Sequence, residues 1–279
     1  MKHSSLLSSP HSAKLSPTHY WFCFRGILTR EYLRFIQQRT RFFSALVRPL
    51  LWLVVFAAGF RAALGIAIIE PYETYITYEV YIAPGLCCMI LLFNGMQSSL
   101  SMVYDREMGS MRVLLMSPLP RWFLLVCKLI SIALVSLLQV YAFLVIALLV
   151  DVEPPLWGYL SVLPALLLVA VMLGAIGLFI SSWIKQLENF AGVMNFVIFP
   201  MFFLSSALYP LWKMQEASEW IYWICITNPF TYAVELVRHA LYLKFDLLAF
   251  SVTLSTTLIF SVLAITGFNP QQSAKIKQS

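Results

Sequence analysis

The chain has 279 residues, of which 60% are hydrophobic and only 11% charged, and its mean hydropathy is +0.80. Soluble domains are about 45–50% apolar and about 25% charged, so this composition excludes a soluble globular protein and indicates one integral membrane domain. The net charge of +6 is typical of a membrane protein with positively charged cytoplasmic loops, and it does not indicate a nucleic-acid partner.

The N-terminal region divides into two parts. Residues 1–19 are rich in Ser, His and Pro and lack the apolar core of a signal peptide, which predicts a disordered tail. In residues 20–43, Phe24, Leu28 and Tyr32 recur at helical spacing beside several arginines, which predicts an amphipathic helix in the membrane interface, on the side of anionic lipids. This helix either serves as a lipid anchor alone or also packs on the charged loop at residues 104–112, and the sequence leaves both open.

Six apolar runs are long enough to cross a bilayer, which takes about 20 mainly apolar residues. They are predicted at residues 46–66, 80–102, 124–150, 159–184, 190–209 and 247–268. Pro200 lies inside the fifth run and is expected to kink it. The predicted fold is therefore an all-α membrane protein, with a six-helix domain at residues 44–270 and a short tail at 271–279.

Two shorter segments lie between the fifth and sixth runs. Residues 220–226 and 230–243 are too short or too polar to span, so they predict a re-entrant or interfacial helix pair broken at Asn228-Pro229. Glu235 and Arg238 are three residues apart on one helical face. We expect them to pair and to brace this region.

The distribution of lysine and arginine sets the orientation. With the N-terminus inside, only Arg61, Lys213, Arg238 and Lys244 of the 19 basic residues fall on the outer side. Both termini and the loop at residues 104–112 are therefore predicted to be cytoplasmic.

That loop carries several charged residues between two apolar runs. It contains Tyr104, Asp105, Arg106, Glu107, Gly109 and Arg112. Glycine permits a sharp turn there, and the charged and aromatic side chains are of the kind that pairs with a soluble surface. Glu107 and Arg106 are predicted to make the principal contact with a soluble partner, and Asp105 and Arg112 to support it. The alternative is a loop that is only solvated and binds no partner.

The chain contains no energy source of its own. Ion-coupled carriers place acids or bases inside their spans, but the middles of the six predicted spans contain neither. The sequence also lacks a phosphate-binding G-x-x-x-x-G-K-[ST] loop, common hydrolase motifs and paired intramembrane carboxylates for a metal. We therefore expect no catalytic residue, metal or cofactor in this chain, and a separate cytoplasmic motor docked on the charged loop.

Few polar residues lie within the spans. Asn94 and Asn195, with Phe199 and Phe203, are candidates for lining a transport pathway. The alternative is that the amides bridge helices and the rings pack in the core.

Three segments of the sequence resemble the permease subunit of type-2 ABC exporters. Glu107-Met108-Gly109-Ser110 with Leu114-Leu115-x-Ser117-Pro118 resembles the segment between the second and third spans of that family; Asn228-Pro229-Phe230-Thr231-Tyr232 with Arg238 resembles the signature before the last span; and Arg48-Pro49-Leu50-Leu51-Trp52 resembles the start of the first span. The similarity covers nearly the whole chain after residue 20, in the same order.

The resemblance implies a coupling helix at residues 104–112 that contacts an ATPase subunit, which binds ATP and Mg²⁺. It further implies two permeases, as a homodimer or alternatively a heterodimer, together with two ATPases in a bacterial inner membrane. Drugs, lipid-linked saccharides or other amphiphilic cargo would be exported between the permeases. The competing hypotheses are a channel or scramblase without a motor, and a membrane assembly scaffold without cargo.

Overall fold

The computed structural model describes residues 17–37, 39–60, 70–72, 76–108, 120–184 and 186–267, and within these ranges every regular element is a helix. The helices are α1 (Pro17–Gln37), α2 (Arg39–Phe60), α3 (Tyr78–Glu107), α4 (Arg121–Ala147, followed by a 3-10 turn at Leu148–Val150), α5 (Gly158–Trp183), α6 (Leu187–Phe203), α7 (Leu211–Ala217), α8 (Glu219–Thr227), α9 (Pro229–Leu241) and α10 (Leu247–Gly267). The all-α prediction is confirmed.

Four described helices are long and apolar enough to cross a membrane, at Tyr78–Tyr104, Trp122–Val150, Gly158–Trp183 and Leu247–Gly267. They coincide with the second, third, fourth and sixth predicted spans. The first and fifth predictions fall on shorter apolar helices, Ala45–Val55 and Leu187–Phe203. The last part of the predicted first span, residues 61–66, lies outside the described residues.

The fifth predicted span differs from the structure at its end. The sequence predicted a kinked helix reaching residue 209, but α6 ends at Phe203 and the chain enters a non-helical turn at 204–210. The carbonyls of Met201 and Leu204 accept hydrogen bonds from the side chain of Asn228, at 2.8 and 2.6 Å. The helix therefore ends where the side-chain amide of Asn228, distant in sequence, donates hydrogen bonds to its last carbonyl groups. The local sequence around residue 203 could not predict this end.

The centre of the fold is the crossing of α3 and α5. A Cβ on Gly95 would lie 3.0 Å from the backbone nitrogen of Gly174, and one on Gly177 would lie 2.4 Å from Oγ of Ser99. Small residues let membrane helices approach this closely. Around this pair, α3 also contacts α2, α4, α6 and α9, and α10 packs on α5.

The predicted amphipathic helix at residues 20–43 is divided between α1 and α2, and residues 17–19 of the predicted tail begin α1. The rest of that tail and the predicted tail at 271–279 lie outside the described residues. Tyr20 packs edge-to-face on Phe123 at 5.0 Å, and Leu28 and Tyr32 line one groove with Leu134 of α4. The residue numbers of these contacts increase together along α1 and α4, so the two helices run side by side for about three turns. A helix lying flat across the end of the spans would meet only the first turn of α4. The predicted packing of this helix on the charged loop at residues 104–112 stays a prediction.

Candidate functional site

Asn228 joins α6 to α9. Its Oδ1 accepts a hydrogen bond from the backbone nitrogen of Phe230 at 3.0 Å, and Pro229 occupies the first turn of α9, so Asn228 caps that helix. Its Nδ2 donates to Met201 and Leu204 at the end of α6, as described above. A break between two helices lies at Asn228, where one side chain both ends α6 and begins α9, and the re-entrant placement of the helix pair stays a prediction.

Arg238 lies on α9 and is only 2% exposed. It donates to Oε1 of Glu235 at 2.5 Å and to the backbone oxygen of Ser206 at 2.9 Å. Its guanidinium carbon lies 4.1 Å from the ring centroid of Tyr81, which adds a cation–π contact. Burial alone lowers the pKa of Arg238, but the Glu235 carboxylate together with Tyr81 and Tyr72 outweighs burial and raises the pKa, so the side chain stays charged. The predicted Glu235–Arg238 pair is present.

The turn at residues 204–210 is held from α3 as well. The hydroxyl of Tyr81 donates to the oxygen of Ser206 at 3.0 Å, and that of Tyr78 donates to the oxygen of Leu208 at 2.8 Å. Non-helical backbone that is buried requires such partners, because its N–H and C=O groups otherwise stay unpaired. We call these residues, Tyr78, Tyr81, Asn228, Glu235 and Arg238, the turn brace. The sequence analysis missed both tyrosines, because nothing in their local pattern distinguishes them from aromatic residues at a membrane surface.

The predicted coupling segment begins as an extension of α3. The candidate span ends at Tyr104, and the helix continues to Glu107. Tyr104, Glu107 and the following Met108 are exposed. Asp105 and Arg106 belong to the helix, but their side chains, and all of Gly109 and Arg112, lie outside the described residues. The structure therefore presents Tyr104 and Glu107 together on a helical end.

The four predicted pathway residues are not brought together. Asn94 of α3 donates to Oε1 of buried Gln139 on α4, which is a bridge between helices. Asn195, Phe199 and Phe203 lie on an exposed face of α6, and the last two rings stack at 6.1 Å. The structure thus favours helix bridging for Asn94 and leaves the α6 residues on a surface.

Replacing Asn94 with leucine is expected to lower the free energy of unfolding by about 1 kcal/mol, because the buried Gln139 amide loses its partner. The double variant Asn94→Leu/Gln139→Leu should recover part of this loss, since no amide then remains unpaired. Thermal stability of the purified variants in detergent measures both. If the double variant lost as much stability as the two single variants added together, the Asn94–Gln139 hydrogen bond would contribute nothing to stability.

Within the described residues, no group of three or more His, Cys, Asp and Glu side chains is placed to hold a metal ion. The arrangement of the described site residues is one of positioning. It consists of a long helix, α3, with a charged end at one extremity and a braced turn at the other.

Comparison with known proteins gives consistent matches. A family model described as ABC-2 type transporter matches residues 23–242. A protein of Cyanophora paradoxa, provisionally named transport permease ycf38, is 26% identical over 277 residues, which cover 94% of this chain and 93% of the relative. Its namesake in Porphyra purpurea is 27% identical, with coverages of 77% and 72%. An Escherichia coli K12 protein, provisionally named multidrug ABC transporter permease YbhR, is 28% identical over 62% of this chain and 46% of the relative.

Proposed function

Because this chain belongs to the ABC-2 type transporter family, we propose that it is the permease subunit of an ATP-driven exporter of amphiphilic cargo. Membership of that family implies a partnering ATPase subunit, and ATP and Mg²⁺ would bind there rather than to this chain. The working assembly is two permeases with two ATPases in a bacterial inner membrane, with both termini of the permease cytoplasmic. A heterodimer with a related permease is the alternative to a homodimer.

The observation that carries this proposal is the continuity of α3. It is one helix of 30 residues, and it presents Glu107 at one end and Tyr78 and Tyr81 at the other. At 1.5 Å per residue it is about 45 Å long, so it can act as a rod through the whole membrane. When ATP brings two ATPase subunits together, force on Tyr104 and Glu107 would tilt α3. The tilt would reach the turn at 204–210 through the two tyrosines.

The second permease copy is proposed to face α2 and α6. Val47, Leu51 and Val55 form an exposed apolar stripe on α2, and Phe196 and Phe199 are exposed on α6. The two stripes adjoin, because Trp52 of α2 packs against Phe202 and Phe203 of α6. Apolar surfaces of this kind on a transport subunit suit a partner helix or an amphiphilic cargo between two copies.

The coupling contact is tested by changing one charge. Glu107→Lys is expected to reduce recovery of the ATPase subunit with the purified permease by about tenfold or more, and to abolish ATP-dependent transport, because a reversed charge opposes its partner. Glu107→Ala should give a smaller loss of both. Glu188→Ala, which removes an exposed acid at the start of α6, is the matched control and should change neither.

Two results would overturn the proposal. A Glu107→Lys complex that assembles and transports normally would show that the coupling contact lies elsewhere. Flux through vesicles that contain the permease alone, without ATPase or ATP, would replace the exporter with a channel or scramblase.

A further inference from the structure

Arg48 is an exposed cation on α2 that lies against α3. The sequence predicted the first span at residues 46–66, with Arg48 at its start. In the structure α2 begins at Arg39, so Arg48 is nine residues, about two and a half turns, inside the helix. Its guanidinium carbon lies 3.9 Å from the ring centroid of Phe93 on α3.

The position of Phe93 along its membrane span shows how deep in the membrane the Arg48 guanidinium lies. It lies 11 residues before Tyr104, at which the candidate span Tyr78–Tyr104 ends, and at 1.5 Å per residue this is about 16 Å from that end. The guanidinium therefore lies near the middle of a membrane span. A charged side chain at this depth is costly and normally faces a partner or a water-filled pathway.

The described helices around Arg48 supply no carboxylate within their spans. Residues 39–60, 80–104 and 121–147, which form α2 and the spans of α3 and α4, contain no Asp or Glu. The ion pairs among the described residues involve Arg30, Arg238 and His239 but not Arg48. The Phe93 ring offers its negative face to the cation but leaves guanidinium N–H donors without an oxygen acceptor.

A recess opens beside this cation. Arg48, Phe93 and Gln97 line it together with apolar residues of α2 and α3, and Gln97 lies one turn from Phe93. Trp52, one turn along α2 from Arg48, packs on Phe203 of α6. On α2, the recess at Arg48 and the contact with α6 at Trp52 are therefore one helical turn apart.

We propose that Arg48 and Gln97 bind the oxyanion group, a phosphate or carboxylate, of an amphiphilic cargo whose apolar tail lies on the aromatic surface of α6. The planar guanidinium can hold two oxygens of such a group, and the low-polarity surroundings strengthen the contact. The site would make the transporter selective for anionic over zwitterionic amphiphiles. This inference rests on the proposed export function, whose cargo class it specifies.

The test uses the full chain, purified with its ATPase subunit in a maltoside detergent, and dodecyl phosphate as the probe. Binding is measured by microscale thermophoresis, with dodecylphosphocholine as the zwitterionic comparison and inorganic phosphate as the free anion. Partitioning into micelles is the same for every variant and cancels between them. We expect wild-type protein to bind dodecyl phosphate about tenfold more tightly than either comparison ligand.

The variants decide the role of Arg48. Arg48→Gln should abolish the preference for dodecyl phosphate, and Arg48→Lys should keep part of it, because a cation remains but the fork of donors does not. Arg25→Gln, which removes an exposed cation from α1, should bind like the wild type. Equal affinity in Arg48→Gln, or equally tight binding of inorganic phosphate, would overturn the proposal. So would an altered oligomeric state of Arg48→Gln in light scattering, which would assign Arg48 to a contact between copies.

ATP-dependent transport in the same preparation separates the two claims. If transport persists while dodecyl phosphate shows no dependence on Arg48, the cargo inference fails and the exporter stands. If dodecyl phosphate binds through Arg48 but flux needs no ATP, the binding site stands and the exporter fails.

Discussion

Arg238→Ala is expected to lower the free energy of unfolding by about 3–5 kcal/mol, because it removes one partner of a buried ion pair. The substitution leaves the Glu235 carboxylate, 19% exposed, without its cation. It also removes the donor that the oxygen of Ser206 receives from α9. The turn at 204–210 then keeps the hydrogen bonds from Tyr78 and Tyr81 of α3 and from Asn228. The apparent melting temperature of the detergent-solubilised protein, followed by size-exclusion chromatography after heating, should fall strongly.

Two further variants define this effect. Glu235→Gln should cost less than Arg238→Ala, since a glutamine oxygen still accepts a hydrogen bond from the guanidinium. Lys213→Ala removes another cation from the segment between α6 and α10. It should leave the melting temperature nearly unchanged, because the interaction found for its ammonium group among the described residues is with the ring of the neighbouring Trp212. An Arg238→Ala protein as stable as the wild type would show that the turn is held without α9.

Gly85→Ala is expected to destabilise the fold by about 1–3 kcal/mol, although alanine is ordinarily the better helix former. A Cβ at this position would lie 2.5 Å from the backbone oxygen of Ala207 and 2.8 Å from its Cα. These are backbone atoms of the braced turn, so they cannot move aside as a side chain would. The turn must shift away from α3, which stretches the Tyr81–Ser206 and Tyr78–Leu208 hydrogen bonds.

Gly26→Ala on α1 is the matched control. A Cβ there meets nothing within 4 Å, so the same substitution should be neutral or should stabilise by about 0.5–1 kcal/mol through the lower entropy of the unfolded chain. Opposite signs for the two substitutions, measured as melting temperatures under one condition, are the expected result. If both substitutions changed the melting temperature in the same direction, the close approach at Gly85 would not constrain the turn.

Local sequence signals predicted the helices well and their ends less well. Hydropathy located the spans of α3, α4, α5 and α10 to within a few residues, because each run of apolar side chains lies in one helix. Proline and asparagine predicted the break at Asn228-Pro229, since both act on adjacent backbone. The Glu235–Arg238 pair was predictable because it depends only on a spacing of three along one helix.

Contacts between distant parts of the chain were not predictable in this way. The end of α6 depends on Asn228, more than twenty residues later. The brace from Tyr81 to Ser206 joins positions 125 residues apart. Arg48 falls at the start of the predicted first span, whereas its contact with Phe93 places it near the middle of the span of α3.

The sequence by itself thus determined the membrane class, the all-α fold, most spans and the charged end of α3, because hydropathy, charge and helical spacing are properties of neighbouring residues. Only the tertiary structure decided how the turn at 204–210 is held, how closely α3 approaches α5 and the turn, and how deep Arg48 lies. The physical reason is that each of these depends on which helix faces which side chain. The interactions within a single segment do not determine which helix packs against which side chain.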